Sequence, residues 1–393
     1  MSKLNNFGLL IKLLSGIILG IILGSISSSI SNDIIVRILL TFNALFGQFL
    51  QFVIPLLVLA FVTAGIAELG KNAGRLLVIT VLLAFCSTIL VGLVTFLISS
   101  NILPFIVVKG ALSAVENPDG VTTPFINPNF KPVMDVISAL LIAFILGAGI
   151  ALTEAKNLLS NFKEFQVIIQ KIISGIIIPL LPLYIAGVFA DITFAGKVAH
   201  IMKTFAGVFA LVITFHICIL ITEFIIAGIV AKKNPFTLIK NMLPAYFTAL
   251  GTQSSAATIP VTIEAMQANG VKAKIADFVA PLCANIHMGG SMTTITICST
   301  AVMLLSGIEP SFALSAQFIF SLAFAMVASP GVPGGSIMTA LPFLMSILGF
   351  SQDLTVLMMA LYLTQDSFGT ACNVTGDGAI GVIVDSIDNR QTA

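Results

Sequence analysis

Charge is what this chain lacks most. Only 9% of its 393 residues are charged, against 58% hydrophobic, and the mean hydropathy is +1.10. Soluble domains carry about a quarter charged residues, so this shortage excludes one and points to a polytopic membrane protein. The net charge of +1 comes without a basic cluster, which leaves no footprint for nucleic acid. Arginine occurs three times, at Arg37, Arg75 and Arg390. The five cysteines (Cys86, Cys218, Cys283, Cys298, Cys372) are odd in number, scattered through apolar runs and free of metal-ligand spacing, so they read as small hydrophobes. The N-terminal apolar run lacks a small-residue cleavage site and reads as a first spanning helix.

What is present is apolar length. Segments near 8–27, 34–66, 73–100, 134–153, 168–190 and 204–231 reach or exceed the roughly 20 residues that span a bilayer. Residues 101–133, with Pro104, Pro118, Pro124 and Pro128, read as an extramembrane loop. With the N-terminus inside, the outer side keeps only Arg37, Lys109, Lys131, Lys197 and Lys203, and the other 13 of the 18 basic residues are cytoplasmic. That asymmetry predicts cytoplasmic N- and C-termini in a plasma-membrane protein.

The C-terminal half departs from simple spans. Residues 241–268 and 312–350 each hold two short apolar arms around a Pro/Gly/Ser tip, Thr252–Thr258 in the first and Ser329–Ser336 in the second. Lipid cannot face such irregular backbone, so both are predicted to be re-entrant hairpins with their tips buried in protein. Each precedes a predicted full helix, about 274–305 and 352–388, and this correspondence predicts an inverted repeat with a midplane site. In the last helix, Asp366, Asn373 and Asp377 are spaced by seven and four residues and share one face, with Thr370 between them. Acids at membrane depth are paired, ligated or facing water, and this stripe has no cationic partner in its own helix. It therefore asks for an ammonium group or a cation from outside. Ser254 and Ser255 are read as carboxylate contacts or as small packing residues. His287 is read as a proton carrier or, preferably, as a neutral substitute for asparagine. His216 and Glu223 lie seven residues apart on one face, with Glu223 expected to snorkel toward the cytoplasm.

Asn373-Val374-Thr375-Gly376-Asp377, Gly331-Val332-Pro333-Gly334 and Ser254-Ser255 together resemble the dicarboxylate/amino acid:cation symporter family. The resemblance runs over nearly the whole chain and is strong across 241–388. It implies an all-α polytopic membrane protein of eight transmembrane helices plus two re-entrant hairpins, arranged as inverted repeats in a homotrimer that works as an elevator. It also implies a scaffold from 1–70 and 102–195, and a transport part from 71–101 and 196–393.

Carried over by position, the resemblance puts the substrate's amino group on Asp366, with Thr370 and Asn373 in contact. Ser254, Ser255, Ser291, Val332, Pro333, Gly335 and Gly369 complete the implied substrate set. The implied sodium set is Asp377 and Asn373, with Cys283, His287, Met288, Met326, Val327 and Ser329. Gly369 stands where acidic-substrate members carry a clamping arginine, and glycine offers no bidentate replacement, so the expected substrate is neutral. His287-Met288-Gly289-Gly290-Ser291 replaces the family's Asn-Met-Asp-Gly-Thr, and the third helix aligns Ala84 and Phe85 with positions that supply hydroxyls. One sodium site is therefore expected to be missing, leaving fewer sodium ions than in acidic amino acid relatives.

The expected activity is import of a small neutral amino acid resembling serine, threonine, alanine or proline, coupled to sodium. The alternatives are a proton-coupled neutral amino acid or cystine transporter of the same fold and, in another class, a gated ion or anion channel. Ser254 or Ser255 with His287 offers a nucleophile and a base, but no oriented third group, so no enzyme is expected.

Overall fold

The computed structural model describes residues 6–68, 75–111, 122–126, 128, 131–134, 136–196, 198–326, 329 and 334–392. Every regular element among the described residues is helical. In a chain this apolar, helices let each segment satisfy its own backbone polar groups. Helices α1 (Asn6–Ser29), α2 (Ile34–Glu68) and α3 (Arg75–Ile102) come first and are long and apolar enough to cross a membrane. They are followed by α4 (Val136–Thr153), α5 (Lys156–Ile172), α6 (Ile178–Phe194) and α7 (Val198–Ala231). A π-helical stretch, Ile173–Ile177, joins α5 to α6 in one long element. This element starts 12 residues before the predicted 168–190, because α5 carries Lys163, Glu164 and Lys171 on an amphipathic helix that a hydropathy reading passes over.

The first group of helices packs through small residues. Gly16, Gly20 and Gly24 of α1 recur every four residues, and a Cβ on any of them would stand 2.4 Å from the carbonyl oxygen of Pro182, Ala186 or Ala190 of α6. Only glycine permits so close an approach of two backbones, the usual device of membrane helix pairs.

The second half contains both hairpins. In the first, α8 (Pro235–Thr252) and α9 (Ser255–Ala268) meet at Gln253, whose φ of +52° reverses the chain. In the second, α12 (Phe312–Met326) and α13 (Gly335–Ser346) flank a tip of which only Ser329 and Gly334 are described. Val327, Val332 and Pro333 lie outside the described residues.

Neither predicted full helix is continuous. The seventh divides into α10 (Ala273–Ile286) and α11 (Gly289–Leu305), and the last into α14 (Gln352–Leu363) and α15 (Asp366–Thr392). Gly289-Gly290 is a poor helix former, and the first break, at His287-Met288, falls directly before it. With α5–α6, α10–α11 and α14–α15 each taken as one element, the described residues form eight such elements and two hairpins, and six of the elements are long and apolar enough to cross a membrane. Every residue of α11 is buried, and α3, α7, α13, α14 and α15 all pack against it. Its start is the point on which the site is built.

Candidate substrate and cation site

The breaks before α11 and α15 bring unpaired backbone groups and polar side chains to the same depth. The first N–H groups of a helix have no partner within it. At the start of α11, Gly290 and Ser291 donate their N–H groups to Asn373 Oδ1 at 2.8 and 3.1 Å. Asn373 Nδ2 donates in turn to Ser291 Oγ at 2.9 Å and lies 3.5 Å from Met288 Sδ. The Tyr362 hydroxyl reaches Ser291 Oγ at 3.3 Å and faces Asp366. Asp366, buried at the first turn of α15, accepts the N–H of Gly334 at 2.7 Å. Gly334 has φ +76° and directly precedes α13, whose first residues are Gly335 and Ser336. The second tip is thus fastened to the last helix through one carboxylate.

About three turns further along α15 lies a second cluster. Asp377 Oδ1 is 3.0 Å from His287 Nδ1, and the other ring nitrogen is 3.2 Å from Ser87 Oγ and 3.5 Å from Glu223 Oε1. Ser87 donates to the same Glu223 oxygen at 3.0 Å. The side chain of His287 is 1% exposed, that of Asp377 1% and that of Glu223 14%, so one imidazole bridges two acids out of water. Gly376 makes room for this: a Cβ there would sit 2.5 Å from Glu223 Oε2 and 2.8 Å from His287 Cε1. Between the two clusters, Met288 donates its N–H to Thr88 Oγ1 at 3.2 Å.

The remaining predicted ligands have mixed fates. The carbonyls of Cys283 and Met288 accept helical N–H groups from His287 and Met292, and that of Met326 accepts from Ser329. Ser329 Oγ is buried and has no hydrogen-bond partner among the described residues. Ser254 acts as the N-cap of α9, accepting the N–H of Ala257, and Ser255 beside it is buried. Thr370 is buried on α15. Gly369 faces the start of α11: a Cβ on it would lie 3.5 Å from Thr294 Oγ1 and 3.7 Å from Gly290.

Residues 9–387 match the sodium:dicarboxylate symporter family. The chain belongs to this family. Similar proteins include the serine/threonine transporter SstT of Streptococcus thermophilus, 29% identical over 347 residues that cover 84% of this chain and 85% of that protein. The SstT of Acinetobacter baumannii is 27% identical over 370 residues, 90% of this chain and 91% of its own length. Human excitatory amino acid transporter 2 is 26% identical over 276 residues, covering 67% of this chain and 48% of that protein. A transport family fits the expectation that this chain is not an enzyme.

Against the family pattern, the structure corrects two readings. The third helix does bring hydroxyls to this region, those of Ser87 and Thr88, one turn beyond Ala84 and Phe85. Residues three or four apart share a helix face, so these hydroxyls lie on the face that the reading of Ala84 and Phe85 considered. Glu223 does not snorkel. It reaches inward to Ser87 and His287, and its Oε1 lies 3.8 Å from where a Cβ at Gly289 would stand. A carboxylate from α7 thus lies beside the start of α11. His216, seven residues before it on the same face, also points inward, with Nε2 3.0 Å from the Gly290 carbonyl and 3.1 Å from Thr294 Oγ1. Sequence reasoning missed Ser87, Thr88 and Thr294, although the spacing of His216 and Glu223 was a usable signal for that face.

Proposed function

We propose that this chain is a secondary active symporter that imports a small neutral amino acid together with sodium. Asp366 carries the reading: it is a buried carboxylate that accepts the N–H of Gly334 on a hairpin tip, in a chain whose three arginines are Arg37, Arg75 and Arg390. A substrate ammonium brings this carboxylate a full positive charge as well as a hydrogen bond, which a backbone N–H does not, and so competes with Gly334 for it. Binding at Asp366 and release of the tip become one event. A ligand that prefers one tip position shifts the two-state balance by that preference and no more. The α-carboxylate is placed by Asn373, Thr370 and hairpin N–H groups. Thr294 and Gly369 suit a neutral side chain, in keeping with relatives named as serine/threonine transporters.

Sodium binds from the second tip, through oxygens of Met326, Val327, Ser329 and Met288, and the Ser329 hydroxyl, without a partner among the described residues, supports this. At Asp377 the imidazole of His287 takes the position expected of a metal ion, so fewer sodium ions are needed than in acidic amino acid relatives. The same geometry favours a second reading, in which a proton on His287 shared between Asp377 and Glu223 is the coupled cation. In the assembled protein α1, α2 and α4–α6 form the scaffold of a homotrimer. The other helices move as the transport part of an elevator in the plasma membrane, with both termini cytoplasmic.

Purified protein in liposomes tests the proposal. A sodium gradient is expected to drive labelled serine, threonine or alanine inward to above the external concentration, with the label chemically unchanged. Accumulation driven by a pH gradient but indifferent to sodium selects the proton reading. Flux that neither saturates nor accumulates selects a channel.

A further inference from the structure

A cleft of about 550 Å³ runs between α3 and α7, with α15 as its floor, and no step of the proposed transport cycle uses it. Its α3 wall extends from Leu83 to Ile98, about 22 Å of helix rise. The walls are largely aliphatic, and Leu90, Val94, Ile98 and Ile226 among them are half-exposed. On either side the same helices expose Leu82, Leu97, Ile217, Ile225 and Ile229, so the mouth opens onto an apolar, membrane-length face. Soluble polar molecules have no route to such a mouth, whereas a hydrocarbon chain dissolved in the bilayer does.

The α7 wall holds one acid: Glu223 lines the cleft together with Ser87 of α3, and among the described residues no lysine or arginine does. Behind Glu223 lies Asp377, and one imidazole stands between the two carboxylates. Glu223 is thus the acidic group that the apolar cleft presents, and an acid at such a depth is met by a paired or ligated cation, which a ligand entering through the cleft can supply.

We propose that the cleft binds a linear amphiphilic amine, with its alkyl chain along α3 and α7 and its ammonium on Glu223. A cationic head matches the acid on the α7 wall and a single unbranched chain matches the long apolar walls. A fatty acid of the same length would bring a second negative charge to the cluster, and an alcohol would bring none.

The protein carries its own reporters. Cys86 and Cys218 are exposed on the opposing walls, while Cys283, Cys298 and Cys372 are buried. In lipid nanodiscs, a membrane-permeant thiol reagent is therefore expected to label Cys86 and Cys218 alone. Dodecylamine should protect both at about tenfold lower concentration than dodecanol, the order expected of one added charge pair at reduced dielectric, and dodecanoate should protect least. In Glu223→Gln the advantage of the amine over the alcohol should vanish. Val94→Phe narrows the cleft away from the acid and should weaken all three ligands together, which keeps the test decisive if Glu223→Gln does not fold. Equal protection by amine and alcohol in the unaltered protein overturns the ammonium assignment. Absence of protection, or an unchanged effect in Val94→Phe, overturns the cleft. The readout is labelling rather than uptake, so its failure leaves the transport proposal standing.

Discussion

Two acids stand eleven residues apart on one helix, about 16 Å along its axis, and they are held in different ways. Asp366 is joined to Gly334, a backbone N–H on a hairpin tip. Asp377 is joined to His287, a side chain set into the break between α10 and α11 and also tied to Ser87 and Glu223. The first partner is a single hydrogen bond from the tip of a hairpin, and a ligand can replace it. The second is fixed on three sides, and a ligand replaces it only if the core is opened. Equal burial and equal chemistry thus yield an exchangeable contact at one end of α15 and a permanent one at the other. What separates them is how each partner is itself held, a backbone N–H just before α13 in one case and a side chain tied through both ring nitrogens in the other, and composition does not reveal it.

The most severe way to break that contrast is to remove the permanent partner. His287→Ala leaves Asp377 and Glu223 facing each other without a shared donor, and loss of one member of a buried ion pair costs about 3–5 kcal/mol. Unfolding in detergent should show a loss of this size, with sodium restoring part of it as the metal takes the vacated position. Unchanged stability would mean that the imidazole is no bridge. Asp366→Asn should act at the other end, weakening amino acid binding by about 10- to 100-fold, the usual range for a lost charge-assisted hydrogen bond. The amide still accepts the Gly334 N–H, so the melting temperature should barely move. A melting loss matching that of His287→Ala would erase the difference between the two acids. Thr88→Val should give the smallest effect, about 1–2 kcal/mol for the orphaned Met288 N–H, and should touch substrate affinity and sodium dependence alike because Met288 lies between the clusters. A change confined to one of the two would place Met288 with that cluster alone.

Much of this was legible in the chain. The hairpins announced themselves because Pro, Gly and Ser interrupt apolar sequence where lipid tolerates no irregular backbone, and α8–α9 and α12–α13 fall within a few residues of those segments. The shared face of Asp366, Asn373 and Asp377 followed from helical spacing and holds despite the break after Leu363. The break at His287-Met288 was obscured because Gly289-Gly290 was read as a departure from a motif rather than as a place where a helix ends. Ser87 and Thr88 were passed over because periodicity identifies a face and not a level along it. Glu223 was misread because an acid eight residues from the end of a helix looks the same in sequence whether it turns outward or inward.

The close approach of α11 to Gly369 bears on how such a protein would change its cargo over evolutionary time. The first carbon of a side chain at position 369 is accommodated in ordinary contact with Thr294 and Gly290. The backbone therefore does not forbid a larger residue there, and a change of cargo can begin at this position without first moving either helix.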